Sequence, residues 1–440
     1  MSAHGDDQGA FAPVELTDQQ RLVEQAIEQG GGHLLITGRA GTGKSTLLNH
    51  VVATTRRVVA VCAPTGVAAL NVGGQTIHSL FKLPIGLIGP TQLRQDRALQ
   101  RLLTVLDVLI IDEISMVSAD VLDAVDRSLR LARKRTEPFG GVQLVLFGDP
   151  YQLAPVPGSL EERVYTQAMY RSMWFFDAHV WEQAELQVHE LEAIHRQRDE
   201  RFRRLLTAVR HGRVTAPMAA VLNETGARPV PVDRPLTLAS RNDAVASINR
   251  AALAALPGAV ATSVAEVNGD FGQRTFPAEE VLQVKPGAHV MLLRNDPDFR
   301  WVNGSMGVVT RIQSGQARVE VAGVEHDVLP ATWQRYRYNY SVTTKQLTRE
   351  VVAEFTQLPI RLGWAVTVHK AQGKTFDAAV IDLGRRAFSP GQTYVALSRL
   401  TALEGLYLSR PLIPGDIIVD PDVQRFMAES VRAGVAAPVA

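Results

Sequence analysis

Short apolar runs recur along the first half of the chain: "HLLITG" (33–38), "RVVAVCA" (57–63), "DVLIID" (107–112) and "VQLVLFG" (142–148). Each is apolar almost throughout, the pattern of strands covered on both faces in a parallel sheet. Segments with helical spacing lie between them, such as "SADVLDAVDRSLRLARK" (118–134), so the first half predicts βαβ units in a doubly wound layer. Residues 82–103, "KLPIGLIGPTQLRQDRALQRLL", break that rhythm with two Pro and two Gly ahead of a short amphipathic stretch, and read as an insertion. The strand pattern resumes with "LTLAS" (236–240), "AHVMLL" (288–293), "WAVTV" (364–368), "AAVIDL" (378–383) and "LYLS" (406–409), which predict a second α/β domain. Between these, residues 301–329 place short strands around Asn303-Gly304, Ser314-Gly315 and Ala322-Gly323 turns, and "WQRYRYNYSVTT" follows with period two; together they predict a small inserted β-barrel.

Composition narrows this picture only a little. The chain has 440 residues, 46% hydrophobic and 21% charged, enough for more than one globular domain. Lys+Arg is 46 against Asp+Glu 45, so any basic surface must be local. The lone cysteine, Cys62, allows no internal disulfide and fits a reducing compartment. The N-terminal "MSAHGDDQGAFAP" is not of signal-peptide type, no apolar run reaches membrane-spanning length, and the C-terminal "AGVAAPVA" reads as a frayed tail. Most basic residues are Arg; the Lys number seven, which makes each position informative.

Two of those Lys lie in Gly-Lys-[Ser/Thr] triplets. "GRAGTGKST" fits G-x-x-x-x-G-K-[ST] at Gly38, Gly43, Lys44 and Ser45, after a predicted strand and before a predicted helix. The loop Gly38, Gly41, Thr42, Gly43, Lys44, Ser45 and Thr46 would cradle phosphates with backbone N–H groups; Lys44 would bridge the β- and γ-phosphates and Ser45 would ligate Mg²⁺. "VLIIDEIS" ends a strand at Asp112 and Glu113, the first suited to hold Mg²⁺ and the second to polarise the attacking water; alternatively the pair caps the next helix, where Ser118 reads as the N-cap. In "LVLFGDPYQLAPV", Gln152 sits just past a strand end and could order the water or sense the γ-phosphate, or simply follow the Gly148-Asp149-Pro150 turn. The second triplet, Gly373-Lys374-Thr375, has Val368 where a phosphate loop needs its first glycine. It is therefore not a second ATP site.

The ordered set "GRAGTGKS", "APTGVAALNVGGQTIHSLF", "IIDEISMVS", "GDPYQLAPV", "HRQ", "VTVHKAQGKTFD" and "YVALSR" resembles the motifs of Pif-type, RecD-like superfamily-one helicases in their bacterial core form. The likeness runs from about Leu16 to about Leu408. Two departures are Ala371, where the family commonly has Ser, and His195, where an aromatic is usual. The resemblance implies an α/β fold with two RecA-like P-loop domains, a small insertion in the first and a small SH3-like β-barrel inserted in the second. The expected boundaries are 1–82 and 104–190 for the first domain and 83–103 for its insertion, a wedge. For the second domain they are 191–297 and 353–440, with 298–352 for the barrel.

The resemblance also distributes roles. Gln20 would recognise adenine, although by itself it reads as an exposed helix-start residue. Arg196 and Arg399 would reach the γ-phosphate. The rest of "RQRDERFRRLLTAVRHGR" has mostly a solvated-helix explanation. Gln372 and Gly373 would sit near the nucleotide. Thr65, Gly66 and His78 in the first domain and Thr367, His369 and Lys370 in the second would follow the DNA strand; His78 reads equally as a core histidine. Tyr336, Tyr338 and Tyr340 could stack on bases, but the core face of the barrel is the preferred reading. The implied activity is ATP- and Mg²⁺-dependent 5′→3′ translocation on single-stranded DNA with unwinding of tailed or forked duplex, or G-quadruplex, DNA. The implied setting is repair, recombination and telomere maintenance, by a monomer in the bacterial cytoplasm at the nucleoid, with no membrane partner. Two alternatives stay open: an RNA-directed helicase of the same superfamily, and a nucleic-acid-stimulated translocase ATPase that does not unwind. No acidic cluster outside the ATP site points to a nuclease.

Overall fold

The computed structural model describes residues 15–84, 88, 93, 95–156, 160–194, 196–197, 199–231, 235–271, 276–298, 300–313, 315–341 and 346–435, without the side chains of 161, 337–341, 346–349 and 431–435. Expectations placed on residues 1–13, on 85–87, 89–92 and 94 of the insertion, on His195 and Ser314, on the rings of Tyr338 and Tyr340 and on 436–440 lie outside these.

The first half forms one parallel sheet. Its strands are β1 (Leu34–Gly38), β2 (Val59–Ala63), β3 (Gln75–Thr76), β4 (Val108–Ile111), β5 (Gln143–Phe147) and β6 (Gln187–Leu191), in the spatial order β3-β2-β4-β5-β1-β6. Every residue of β1, β4 and β5 is buried, as their unbroken apolar character requires. Each such Leu, Ile or Val contributes roughly 1.5–3 kcal/mol by leaving water. The covering helices are α1 (Asp18–Gln29), α2 (Lys44–Thr54), α3 (Gly66–Asn71), α4 (Ile77–Phe81), α5 (Arg97–Val105), α6 (Ala119–Arg133), α7 (Leu160–Met169) and α8 (His179–Ala184). Ser118 occupies the N-cap position of α6 but makes no side-chain capping bond.

After α9 (Glu200–Arg210) and α10 (Ala216–Gly226) a second parallel sheet begins with β7 (Leu236–Ala239), followed by α11 (Asn242–Ala255). The chain then leaves the layer. Strands β8 (Ala261–Val264), β9 (Glu266–Gly269), β10 (Val281–Val284), β11 (His289–Leu292), β12 (Met306–Gln313), β13 (Gln316–Val321), β14 (Val324–Val328), β15 (Ala331–Ser341), β16 (Gln346–Gln357) and β17 (Ile360–Leu362) pair antiparallel. They form sheets ordered β14-β13-β12-β11-β17, β15-β16-β9 and β10-β8. Leu292, Trp301, Val309, Val319 and Ile360 build a core here, separate from the main one. The layer closes with β18 (Ala365–Thr367), β19 (Ala379–Asp382), α12 (Gln392–Leu397), β20 (Leu406–Leu408) and α13 (Pro421–Val435), the sheet order being β18-β7-β19-β20.

Two sequence expectations are corrected. "AHVMLL" belongs to the antiparallel part, because β11 pairs with β12 and β17 and not with the parallel sheet. A short apolar run reports burial, not which sheet does the burying. Residues 433–435, expected in a frayed tail, end helix α13.

Helix α13 returns the chain to the first half. Phe426 stacks on Phe176, with centroids 4.3 Å apart and planes 6° from parallel, and meets Phe175 and Trp181 edge-on. Trp174 Nε1 donates to Asp420 at 2.9 Å. Among the described residues no helix is long and apolar enough to cross a membrane. Because Phe426 is buried among three rings, Phe426→Ala is expected to lower the unfolding free energy by about 3–4 kcal/mol in denaturant titration.

Candidate active site

The order β4-β5-β1 sets the carboxyl ends of three first-sheet strands side by side. That is where open α/β sheets bind ligands. The loop after β1 turns at once into α2, with Gly43 at the N-cap in a left-handed conformation. Gly41 has φ 85°, and a Cβ there would lie 2.4 Å from Cβ of Arg196, so only glycine lets this loop pass beneath that arginine. A cavity of about 550 Å³ opens at this point, lined by Gln20, Gly41, Thr42, Gly43, Lys44, Ser45, Thr46, Asp112, Glu113, Gln152, Arg196, Gly373 and Arg399, among others. Gln20 and Arg399, 379 positions apart in sequence, thus line one cavity. Gly38 stands just outside it, at the end of β1, and its carbonyl accepts from Lys44 Nζ at 2.6 Å.

Gln20 is buried, not exposed, and also closes a capping box with Thr17 at the start of α1. Lys44 donates to the carbonyls of Gly38 and Arg39. Burial lowers its pKa, while Asp149, Glu113 and Asp112 favour the ammonium. Asp112 follows β4 directly, and burial together with the Glu113 charge lifts its carboxyl to about 7. Glu113 sits in a left-handed conformation (φ 51°), which costs roughly 1–2 kcal/mol for a residue with a side chain and turns it into the cavity. Burial also raises Glu113, against the pull of Lys44 and Arg399. From the second sheet, Gln372 donates to Glu113 at 3.0 Å and to Gln152 at 3.1 Å, joining two first-sheet strand ends through one amide.

Among the described residues the two arginines donate to oxygens without formal charge. Arg399 is fully buried and donates to the carbonyls of Val395 and Lys374 and to Ser398 Oγ. Arg196 donates to the carbonyls of Ser398 and Gly373. Among the described residues neither has a carboxylate within ion-pair distance. Burial and the neighbouring Arg196 charge push Arg399 down to about 9. Such groups fit an incoming anion.

Three residues that sequence reasoning did not single out complete the site. Asp149, buried beyond β5, receives Arg210 Nη2 at 3.0 Å and Tyr394 Oη at 3.2 Å. Tyr394 Oη in turn accepts the Ala40 backbone N–H at 3.1 Å. Burial opposes charge on Asp149, but Arg210 and Lys44 outweigh it and hold the carboxyl below its usual range. Arg210 belongs to the run expected to be mostly solvated, yet is 2% exposed and also pairs with Glu190 at 3.2 Å. Its signal was available: it ends a helix whose apolar side is buried in the core.

Of the residues expected to follow nucleic acid, Thr367, His369 and Lys370 share a groove with Ser240, Arg241 and Phe388. Thr65 caps α3, and Gly66 and His78 line two further pockets, both of which Arg335 of β15 also lines. Arg335 donates to Ser79 at 3.1 Å, so a strand of the β-rich segment lies across this face. Lys374 turns away from the cavity and donates to Asn303 Oδ1 in the β11–β12 turn, while Gly373 and Thr375 line the cavity. The second triplet therefore spans from the cavity to the β-rich segment.

A strand–loop–helix turn of phosphate-loop type between two parallel sheets, with Arg399 reaching it from the second, defines the P-loop architecture of two RecA-like domains. Residues 15–220 match the model of the PIF1-like helicase family. The ATP-dependent DNA helicase Pif1 of Bdellovibrio bacteriovorus is 33% identical over 424 residues, spanning 94% of this chain and 92% of that one. Its mouse counterpart, ATP-dependent DNA helicase PIF1, is 36% identical over 410 residues, which cover 89% of this chain and 59% of the mouse protein. The chain thus spans about six-tenths of the vertebrate relatives. Bacteroides Pif1 in complex with ADP-AlF4 superposes with a TM-score of 0.89 at 32% identity, covering 96% of this chain and 98% of that one. The same Bacteroides protein bound to single-stranded DNA gives 0.71 at 33% identity with equal coverage. The chain belongs to the PIF1-like helicase family.

Tyr394→Phe removes the hydrogen bond to the Asp149 charge and the acceptor of the Ala40 N–H, and is expected to cost about 2–3 kcal/mol of unfolding free energy. Arg210→Met leaves Asp149 unpaired and should cost about 3–5 kcal/mol. Denaturant titration of both variants checks the order.

Proposed function

We propose that the chain is an ATP-dependent DNA helicase that moves 5′→3′ along single-stranded DNA and separates duplex ahead of it. One observation carries the reading: Lys44 from the first sheet and Arg196 and Arg399 from the other wall converge on one cavity that also holds Asp112, Glu113 and Gln152, and among the described residues none of the three cations is in an ion pair. Its volume suits a nucleoside triphosphate. The proposed parts are 1–82 and 104–190 for the first domain, 191–297 and 353–440 for the second, and 83–103 and 298–352 for the insertions.

Gln20 would contact the base, and Gly38 to Thr46 with Gly373 the phosphates. Lys44 would neutralise the β- and γ-phosphates. Ser45 and Asp112 would hold Mg²⁺, which when bound neutralises charge on the phosphate oxygens. Glu113 would take the proton of the attacking water; a carboxyl raised by burial is suited to that role. Gln152 would order the same water, and Gln372 keeps both side chains in register. Arg196 and Arg399 would stabilise charge developing on the transferred phosphoryl group. Because they hang on the 373–399 backbone, hydrolysis would depend on closure of the two halves.

Motion would follow from two grips, Thr65, Gly66 and His78 on one side and Thr367, His369 and Lys370 on the other, with duplex parting against residues 83–103. The first grip requires β15 to withdraw from that face. The lower similarity to the DNA-bound Bacteroides structure than to its ADP-AlF4 complex supports a rearrangement of this kind. DNA as substrate rests on the names of the relatives, and a nucleoid location on the bacterial one.

The test is strand separation on partial duplexes with a 5′ or a 3′ single-stranded tail, with ATP and Mg²⁺. Only the 5′-tailed duplex is expected to open. Opening of the 3′-tailed one alone would overturn the polarity, and opening of neither with DNA-stimulated ATPase intact would leave a translocase. Lys44→Ala is expected to abolish turnover while single-stranded DNA still binds. Arg399→Ala should keep ATP binding and lower kcat by about 10³-fold or more; loss of DNA binding alone would contradict that role.

A further inference from the structure

Phe388 is 62% exposed, although the chain around it is firmly fixed. Its own N–H donates to Oε1 of the fully buried Gln392 at 3.1 Å. The preceding residue, Ala387, is buried and donates its N–H to Asp416 at 2.9 Å. Asp416 is itself fully buried and takes two hydrogen bonds from Arg410, at 2.7 and 2.8 Å. A single exposed apolar side chain needs no explanation. A phenyl ring on a braced loop, opening into a groove with polar walls, is a different case.

That groove, about 740 Å³, is lined by Ser240, Arg241, Asn242, Asp243, Thr367, His369 and Lys370 beside the ring. Lys370 has no carboxylate within ion-pair distance among the described residues, whereas Arg241 is paired with Asp243 at 2.8 Å. The groove therefore offers an unpaired ammonium, hydroxyl and amide groups suited to a phosphate backbone, and one aromatic face. Phosphate contacts and a stacking face side by side are the two components of single-strand binding.

We propose that Phe388 is a base-stacking platform: one nucleobase of a single strand lies on its ring while the adjoining phosphates meet Lys370, Thr367 and His369. The inference rests on the reading that this groove follows single-stranded DNA. It adds to that reading a contact to a base, insensitive to sequence because every base has a π-face. A rigid mount matters here, since a ring already held in place loses little freedom when a base lands on it.

The test measures binding of the full chain to fluorescent single-stranded oligonucleotides by anisotropy, comparing a normal strand with one of equal length made of abasic sites. Phe388→Ala removes a ring that is mostly in solvent, so it leaves no core cavity. It is expected to weaken binding to the normal strand about tenfold and to leave binding to the abasic strand unchanged, with Phe388→Trp restoring the wild-type value and Phe388→Leu failing to. Wild-type affinity of Phe388→Ala for the normal strand, or an equal loss on both strands, would overturn the stacking role. If the unsubstituted chain bound neither strand, the failure would lie with the single-strand reading itself.

Discussion

Everything at the centre of this molecule is arranged around one buried carboxylate. Asp149 lies where the fifth strand of the first sheet ends, out of contact with water; its charge survives there because Arg210 and Lys44 outweigh the burial, and Tyr394 also donates to it. Tyr394 belongs to the second half of the chain, and its hydroxyl also takes an N–H of the phosphate loop. One ionised group thereby joins the strand end, the helix that links the halves, the second domain and the loop that would cradle ATP. Removing either cationic or hydroxyl partner leaves a charge in a medium that penalises it heavily, which makes the arrangement cooperative rather than a sum of independent contacts.

Around that fixed point the site sets three cations, Lys44, Arg196 and Arg399, facing the carboxyls of Asp112 and Glu113. The hydrogen bonds of Lys44, Arg196 and Arg399 go to carbonyl and hydroxyl oxygens; burial works against all three charges, and for Lys44 and Arg399 the nearby Glu113 and Asp149 carboxyls offset part of that. A buried cation without a counter-ion is costly to the fold and favourable to an anionic ligand. In the proposed function this cost is offset when a triphosphate arrives, and the same electrostatics draw the two halves together.

The 367–375 segment carries the connection outward. Thr367, His369 and Lys370 face one groove, Gln372 bridges Glu113 and Gln152, Gly373 and Thr375 line the cavity, and Lys374 reaches Asn303 of the β-rich segment. Within nine residues the backbone touches each surface that a nucleic-acid motor has to coordinate. A rigid displacement of this turn would be felt at all of them, which is how the proposed cycle would link hydrolysis to grip.

The sequence by itself determined the parallel sheets, the phosphate loop at Gly38 to Thr46 and the acidic strand end at Asp112 and Glu113, because each is a local pattern: an apolar run, a turn that demands glycine, a helix start. It also excluded a phosphate loop at Gly373-Lys374-Thr375 on glycine spacing alone. It gave Arg196 and Arg399 a role only through resemblance, since an arginine carries no mark of what it will face. Only the tertiary structure assigned "AHVMLL" to the antiparallel part, set β15 across His78, and brought Asp149 to Arg210 and Tyr394, which lie 61 and 245 positions away. Long-range pairing depends on which surfaces the packed layers bring within 3 Å of one another, and that is a property of the whole fold, absent from any window of the chain.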